Sequence, residues 1–153
     1  MPATYPCGVR TVSASYGVRG SSVEVEQLWY DRSRWASWID DFGHVVKLSD
    51  EWPLEGARRV WDSRPGGRGR VSETVLSYAA GAGQTLAIED ARVRGEQRVR
   101  FESDGSVTRV TVELALQTKE RLPPARAWWL RRKLGESLRR SLTRFSYELA
   151  AER

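Results

Sequence analysis

EQRVRFESDGSVTRVTVELALQT (residues 96–118), followed by PPARAWWLRRKLGESLRRSLTRFSYELA (residues 123–150), decides the fold. In the first stretch Val99 and Phe101 alternate with Arg98, Arg100 and Glu102. Further on, Val110, Val112, Leu114 and Leu116 alternate with Arg109, Thr111, Glu113 and Gln117. This is the period-two pattern of strands with one covered and one wetted face, and Asp104–Gly105 between them is turn chemistry. In the second stretch Pro123–Pro124 opens a helix running to about Ala150, because proline is tolerated in a first helical turn. Leu130, Leu134, Leu138, Leu142, Phe145 and Leu149 then fall on one stripe, the mark of a helix packed on a core.

Working back towards the N-terminus, more strands are separated by turns. HVVKL and GARRVWDS read as two of them, and RPGGRG as the hairpin turn into RVSETVLSY. AAGAG turns the chain into QTLAIEDARV, and Arg94–Gly95 is the turn into EQRVRFES. Before these strands lie two short helices. Ser21 and Ser22 cap the first, with Glu24 and Glu26 in its opening turn and Val25, Leu28 and Trp29 on its apolar side. RSRWASWIDDF forms the second and presents Trp35, Trp38 and Ile39. An alternating stretch from Val9 to Val18 makes a first strand.

The chain of 153 residues, 40% hydrophobic and 29% charged, suits one soluble globular domain spanning 1–153, with residues 1–8 a flexible N-terminus. No apolar run approaches the roughly 20 residues that cross a bilayer, and MPATYPCGVR lacks the features of a secretion signal. Cys7 is the sole cysteine, so no internal disulfide forms and a cytoplasmic setting is expected. The net charge of +5 resides in one segment: residues 121–144 hold eight basic residues against Glu136 alone. Most of these face away from the leucine stripe, so a solvated helix face accounts for them without nucleic acid. His44 is the sole histidine, which leaves neither zinc-ligand spacing nor a Cys–His pair, and no cofactor is implied. RPGGRGR lacks the G-K-[ST] of a phosphate loop and joins two strands. Asp40, Asp41 and His44 cluster before a strand, where either acid–base work or loop polarity explains them.

This element order resembles the START-like (SRPBCC) superfamily, which includes polyketide cyclases/aromatases, lipid-transfer START domains and the birch-pollen allergen group. SSVEVEQLWYDRSRWASWI is similar to the family's tryptophan-rich helix pair, PLEGARRVW to its strand entry, and SVTRVTVEL to its “gTrvtv” strand. The chain departs from the pattern where YGVRGSSVEVEQ replaces “APaevV”, and where no glycine stands just before Thr108. The resemblance implies an α+β helix-grip fold. A curved antiparallel sheet of about seven strands wraps the C-terminal helix, with an apolar cavity between them that opens near the short helices.

Candidate cavity residues follow from strand parity and helix angle. Leu86 and Ile88 share a face with Asp90 and Arg92; either the last two orient a ligand, or the strand ends after Glu89 and both reach water. Phe101 and Val112 are inward apolar positions. Arg131 lies at the angle of Leu138 and Leu149, to bind an anionic oxygen or to snorkel over apolar surface. Of seven tryptophans most fill the core, and Trp38, Trp61 and Trp128 are those expected to meet a ligand. Tyr78 supplies a hydroxyl if Leu76, rather than Val75, faces inward. Trp129 and Tyr147, beside Arg132, Lys133 and Arg140, are either partly exposed aromatics without a role or a peripheral contact with an anionic membrane or a partner.

The functional expectation is binding or carriage of a hydrophobic small molecule, lipid-like, polyketide or aromatic, by a monomer or homodimer. The alternative is a metal-free polyketide cyclase/dehydratase that holds a poly-β-ketone in productive geometry in the same cavity.

Overall fold

The computed structural model describes residues 10–152, so Cys7, Val9 and the expected flexible segment 1–8 lie outside the described residues. Seven antiparallel strands form one sheet: β1 (Arg10–Arg19), β2 (Phe42–Leu48), β3 (Arg58–Ser63), β4 (Arg70–Ala79), β5 (Gly83–Glu89), β6 (Val93–Asp104) and β7 (Val107–Thr118). Their order is β1-β7-β6-β5-β4-β3-β2, so the chain meanders from β2 to β7 and β1 closes against the last strand. Between β1 and β2 lie α1 (Ser22–Trp29), a 3₁₀ turn over Arg32–Arg34, and α2 (Trp35–Trp38). The long helix α3 spans Pro124–Ala151.

Local chemistry accounts for the boundaries. The Ser21 hydroxyl caps α1 by accepting from the Glu24 N–H, and Val25, Leu28 and Trp29 are buried as expected. The expected turn at Arg94–Gly95 is not one: β5 stops at Glu89 and the chain reverses over Asp90–Arg92. Asp90 makes the reversal, its Oδ1 accepting from the N–H groups of Arg92 (2.8 Å) and Val93 (3.0 Å). Gly95 instead lies inside β6, where an added Cβ would sit 2.0 Å from the Ala115 carbonyl oxygen. Its small size serves a close backbone approach and not a turn.

The second departure is in β4. Val75 pairs with Leu86, but Ser77 pairs with Thr85 and Tyr78 with Gln84, so one extra residue bulges out at Leu76. The bulge resets the parity. Val75 is buried, Leu76 is exposed, and Tyr78 still turns inward. Inward orientation of Tyr78 therefore does not require Leu76 to face the interior.

The covered face of the sheet carries two apolar clusters. One gathers Trp29, Trp35, Trp38, Phe42, Trp61 and Phe101 under Leu142, Phe145 and Leu149 of α3. The other collects Val12, Val75, Leu86, Ile88, Leu114 and Leu116 beneath Leu130, Leu134 and Leu138. Gly135 lets the helix settle on β1, since a Cβ there would meet Val12 Cγ1 at 3.3 Å. No helix among the described residues is long and apolar enough to cross a membrane.

Candidate functional site

The leucine stripe of α3 is sealed unevenly. Leu142, Phe145 and Leu149 are buried, whereas Leu130, Leu134 and Leu138 are only partly covered. Beside this looser half two adjoining hollows share Arg92, Trp129 and Leu130. The first, about 590 Å³, runs towards Thr118, Leu122 and Arg126 at the end of β7 and the start of α3. The second, about 430 Å³, runs towards the β3–β4 loop at Arg64 and Arg68 and along α3 past Lys133 and Leu134. Together they form a groove between the first half of α3 and two strand-connecting turns.

Hydrogen bonds fix the groove's walls. The β3–β4 loop is tied down by the Arg64 N–H on the Asp41 carbonyl (2.9 Å) and the Gly69 N–H on Ser63 Oγ (2.8 Å). Arg68 Nε donates to Asp90 Oδ2 at 2.8 Å, joining that loop to the β5–β6 turn. Asp90 is thus a buried turn-maker whose charge is met by Arg68 and two backbone N–H groups. Arg92 gives Asp90 its backbone only; its side chain is exposed and lines both hollows. On the helix side, Asp40 accepts from Ser137 Oγ (2.7 Å), Arg140 (2.9 Å) and Arg144 (3.1 Å). Burial would raise its carboxyl. The hydrogen bonds from Arg140 and Ser137 and the two positive charges outweigh that and hold it below the ordinary carboxylate range. The expected Asp40–Asp41–His44 cluster is therefore drawn apart, with His44 turned outward 3.5 Å from Asp62.

Under the sheet's covered face lies a second polar constellation. Arg59 Nε and Nη2 make a bidentate pair with Glu73 at 2.6 and 3.0 Å, and Trp61 Nε1 donates to Glu73 Oε1 at 2.9 Å. The guanidinium lies over the rings of Trp35 (4.4 Å) and Trp52 (4.7 Å). Arginine suits this position because its planar, weakly hydrated cation stacks on aromatic faces while bonding a carboxylate in its plane. Both side chains are almost wholly buried, 9% and 4% exposed, so each charge depends on the other. Nearby, the Tyr78 hydroxyl donates to Glu26, which also accepts from the Gly81 N–H. Burial first, and then the Glu26 carboxylate, pushes the Tyr78 phenol up to about 12. Burial likewise raises Tyr30, whose hydroxyl has no hydrogen-bond partner among the described residues; nor have Nε1 of Trp38 and of Trp52.

The residues proposed from sequence separate into four groups. Arg92 lines the groove and Asp90 braces it. Trp38, Trp61, Ile88, Phe101 and Val112 are buried in the clusters, with Trp38 against Trp29 (4.5 Å) and Phe145 (5.0 Å), and Trp61 stacked on Phe42 (5.0 Å). Tyr78 belongs with Glu26. Trp128 and Arg131 are exposed on α3 and line neither hollow; Trp128 is 60% exposed and carries the Arg132 guanidinium over its ring. The stripe angle misplaces Arg131 because the first turns of α3 extend beyond full cover by the sheet. Arg59 and Glu73 are not among the sequence candidates, although parity carries the signal: Arg59 alternates with Trp61, and Glu73 lies between Val71 and Val75.

No protein-family model and no curated protein matches the chain significantly. Solved structures do. A START superfamily protein from Mycobacterium smegmatis superposes with a TM-score of 0.76 at 15% identity, over 94% of this chain and 99% of that one. DynU16, from the dynemicin biosynthetic locus, gives 0.66 at 19% identity, over 94% of this chain and 48% of that one. A conserved protein from Geobacillus kaustophilus gives 0.73 at 14% identity, over 93% and 96%. At such identities the likeness speaks for architecture. Together with seven antiparallel strands, two short helices after the first of them and one long C-terminal helix, it establishes that this chain has the START-like helix-grip fold.

Proposed function

We propose that the protein binds or carries a hydrophobic small molecule, seated in the groove beside the first half of α3 and extending towards the covered face of the sheet. The observation that carries this reading is the uneven seal of α3: Leu130 and Leu134 stay partly open and line hollows of about 590 and 430 Å³. Volumes of that order suit a small ligand, and apolar walls with a few placed polar groups are the usual composition of such sites. Trp129 and Leu122 add apolar surface at the same place. Structural likeness to proteins that include a START superfamily member and one from a biosynthetic locus supports a ligand-holding role.

Two of the groove's carboxylates are occupied in bracing its walls: Asp90 is held by Arg68 and two N–H groups, and Asp40 by Ser137, Arg140 and Arg144. The test is titration with long-chain alcohols and polycyclic aromatics, read by tryptophan fluorescence and native mass spectrometry. A stoichiometric complex is expected, and Leu134→Arg should weaken it at least tenfold by placing a charge on the apolar wall. Absence of any complex across the panel would exclude the reading.

A further inference from the structure

The hollow beside the β3–β4 loop is lined by six cations and three carboxylates, an excess of three positive charges. The pairing within it is selective. Arg68 is engaged by Asp90, and Arg140 and Arg144 share Asp40. Arg64, Arg92 and Lys133 form no salt bridge among the described residues; Lys133 is close enough to Glu136 to lower its carboxyl, and rests its ammonium 5.5 Å from the Trp129 ring centroid. These three come from three separate elements: the β3–β4 loop, the β5–β6 turn and α3. Asp41 is the remaining carboxylate of the hollow, and its charge acts on Arg140.

Two further observations point to a ligand and not to a merely solvated surface. Arg68 Nη2 is buried and has no hydrogen-bond partner among the described residues, although Nε of the same guanidinium is bonded to Asp90. A buried donor of this kind is costly unless something fills it. The cations also adjoin apolar surface directly, since Leu130, Leu134, Val93 and Trp129 line the same hollow. A groove with an apolar floor and unpaired cations at one end matches an amphipathic molecule.

We infer that Arg64, Arg92 and Lys133 hold the anionic head group, a carboxylate or phosphate ester, of a ligand whose apolar body lies along Leu130 and Leu134. This rests on the hydrophobic-ligand reading and narrows it. The guanidinium forks of Arg64 and Arg92 suit two oxygens of such a group, and the Lys133 ammonium adds a compact charge. The cations remain accessible to water, so salt weakens their hold on the head group.

The experiment compares dodecanoate, dodecyl phosphate, dodecanol and inorganic phosphate on the full chain, by calorimetry at low and high salt. Both anionic amphiphiles should bind about tenfold more tightly than dodecanol at low salt. High salt should erase that margin, and inorganic phosphate should bind far more weakly. The combined Arg64→Gln, Arg92→Gln, Lys133→Gln variant should lose the anionic preference, binding dodecanoate no more tightly than dodecanol, while a wild-type circular dichroism spectrum and unfolding midpoint certify its fold. Equal wild-type affinity for dodecanol and dodecanoate would overturn the head-group site and leave hydrophobic binding standing. An anionic preference that survives in the variant would place the head group elsewhere and likewise overturn it. Inorganic phosphate binding as tightly as dodecyl phosphate would mean that the apolar body is not sensed, which also defeats the inference. Binding of none of the four would bring down the underlying reading as well.

Discussion

The two halves of α3 obey one sequence pattern and meet different fates. From Leu142 onward the helix is closed in: Phe145 makes edge contacts with Trp29 at 5.2 Å and Trp38 at 5.0 Å, and Leu149 is buried beside them. Arg34 then bonds Glu148 and Glu152, fastening the end of α3 to the turn before α2. From Leu130 to Leu138 the same heptad-like leucines are only partly covered, and cations rim the opening. The difference lies in what faces the helix. The short helices bring Trp29, Trp35 and Trp38 against its second half, while the first half lies over smaller aliphatic side chains, Val12, Val75, Leu86 and Ile88 among them. One apolar stripe thus makes core where tryptophans arrive and makes a groove where they do not.

The sharpest way to break that contrast is truncation in each half. Phe145→Ala removes a fully buried ring from the aromatic cluster and should cost about 3–5 kcal/mol, from lost transfer energy and the cavity left behind. Leu130→Ala, at a partly exposed position, should cost about 1 kcal/mol or less, since little buried area is lost. Denaturant unfolding with unchanged m-values would measure both. Similar costs at the two sites would mean that the first half of α3 is core after all.

That contrast also marks how far the sequence could be read. The strands, the capped α1 and the extent of α3 follow from local rules: alternation, Ser21 as a cap, and proline in a first turn. Three features do not, because each depends on a partner distant in sequence. Gly95 looks like a turn residue until Ala115 is seen to approach it. The bulge at Leu76 is set by pairing with β5, and without it the parity of Tyr78 is misjudged. Arg131 has the right angle on an ideal helix, but angle does not say where the sheet ends. Within the site, alternation leaves Asp90 and Arg92 either facing a ligand together or lying past the end of a strand, and the strand does end at Glu89. Their division into a brace and a groove-lining cation needed Arg68, which lies 22 residues away along the chain.

An intermediate effect is expected where α3 is fastened across its middle. Asp40 receives Ser137, Arg140 and Arg144 from three positions on the helix, and its side chain is 12% exposed. Asp40→Asn should destabilise by about 1–2 kcal/mol at neutral pH, the scale of hydrogen bonds to a charged group. The carboxyl is held below its ordinary value in the fold, so its contribution is complete above the unfolded-state value of 3.8. It is lost as pH falls through the lower folded-state value. The stability gap between wild type and Asp40→Asn should therefore be flat near neutrality and close on acidification below that range. A gap that stays constant into strong acid would assign the effect to shape and not to charge.

The smallest effects belong to the outer face of the open half. Trp128 and Arg131 are exposed on α3, and Trp128 touches chiefly the aliphatic and cationic reach of Arg132. An exposed cation over an aromatic face contributes about 0.5–1 kcal/mol at most, and surface substitutions usually fall within about 0.5 kcal/mol. Trp128→Ala and Arg131→Gln should therefore leave stability nearly unchanged. They should also leave dodecanol affinity unchanged, because neither residue lines the hollows that Leu130 and Leu134 share with Trp129. Trp129→Ala is the matched control. It removes an aromatic wall common to both hollows and should weaken ligand binding while costing little stability, since the ring is half exposed in the free protein. If Trp128→Ala weakened binding as much as Trp129→Ala, the ligand would lie across the outside of α3, and the open half of the helix would be a surface instead of a groove.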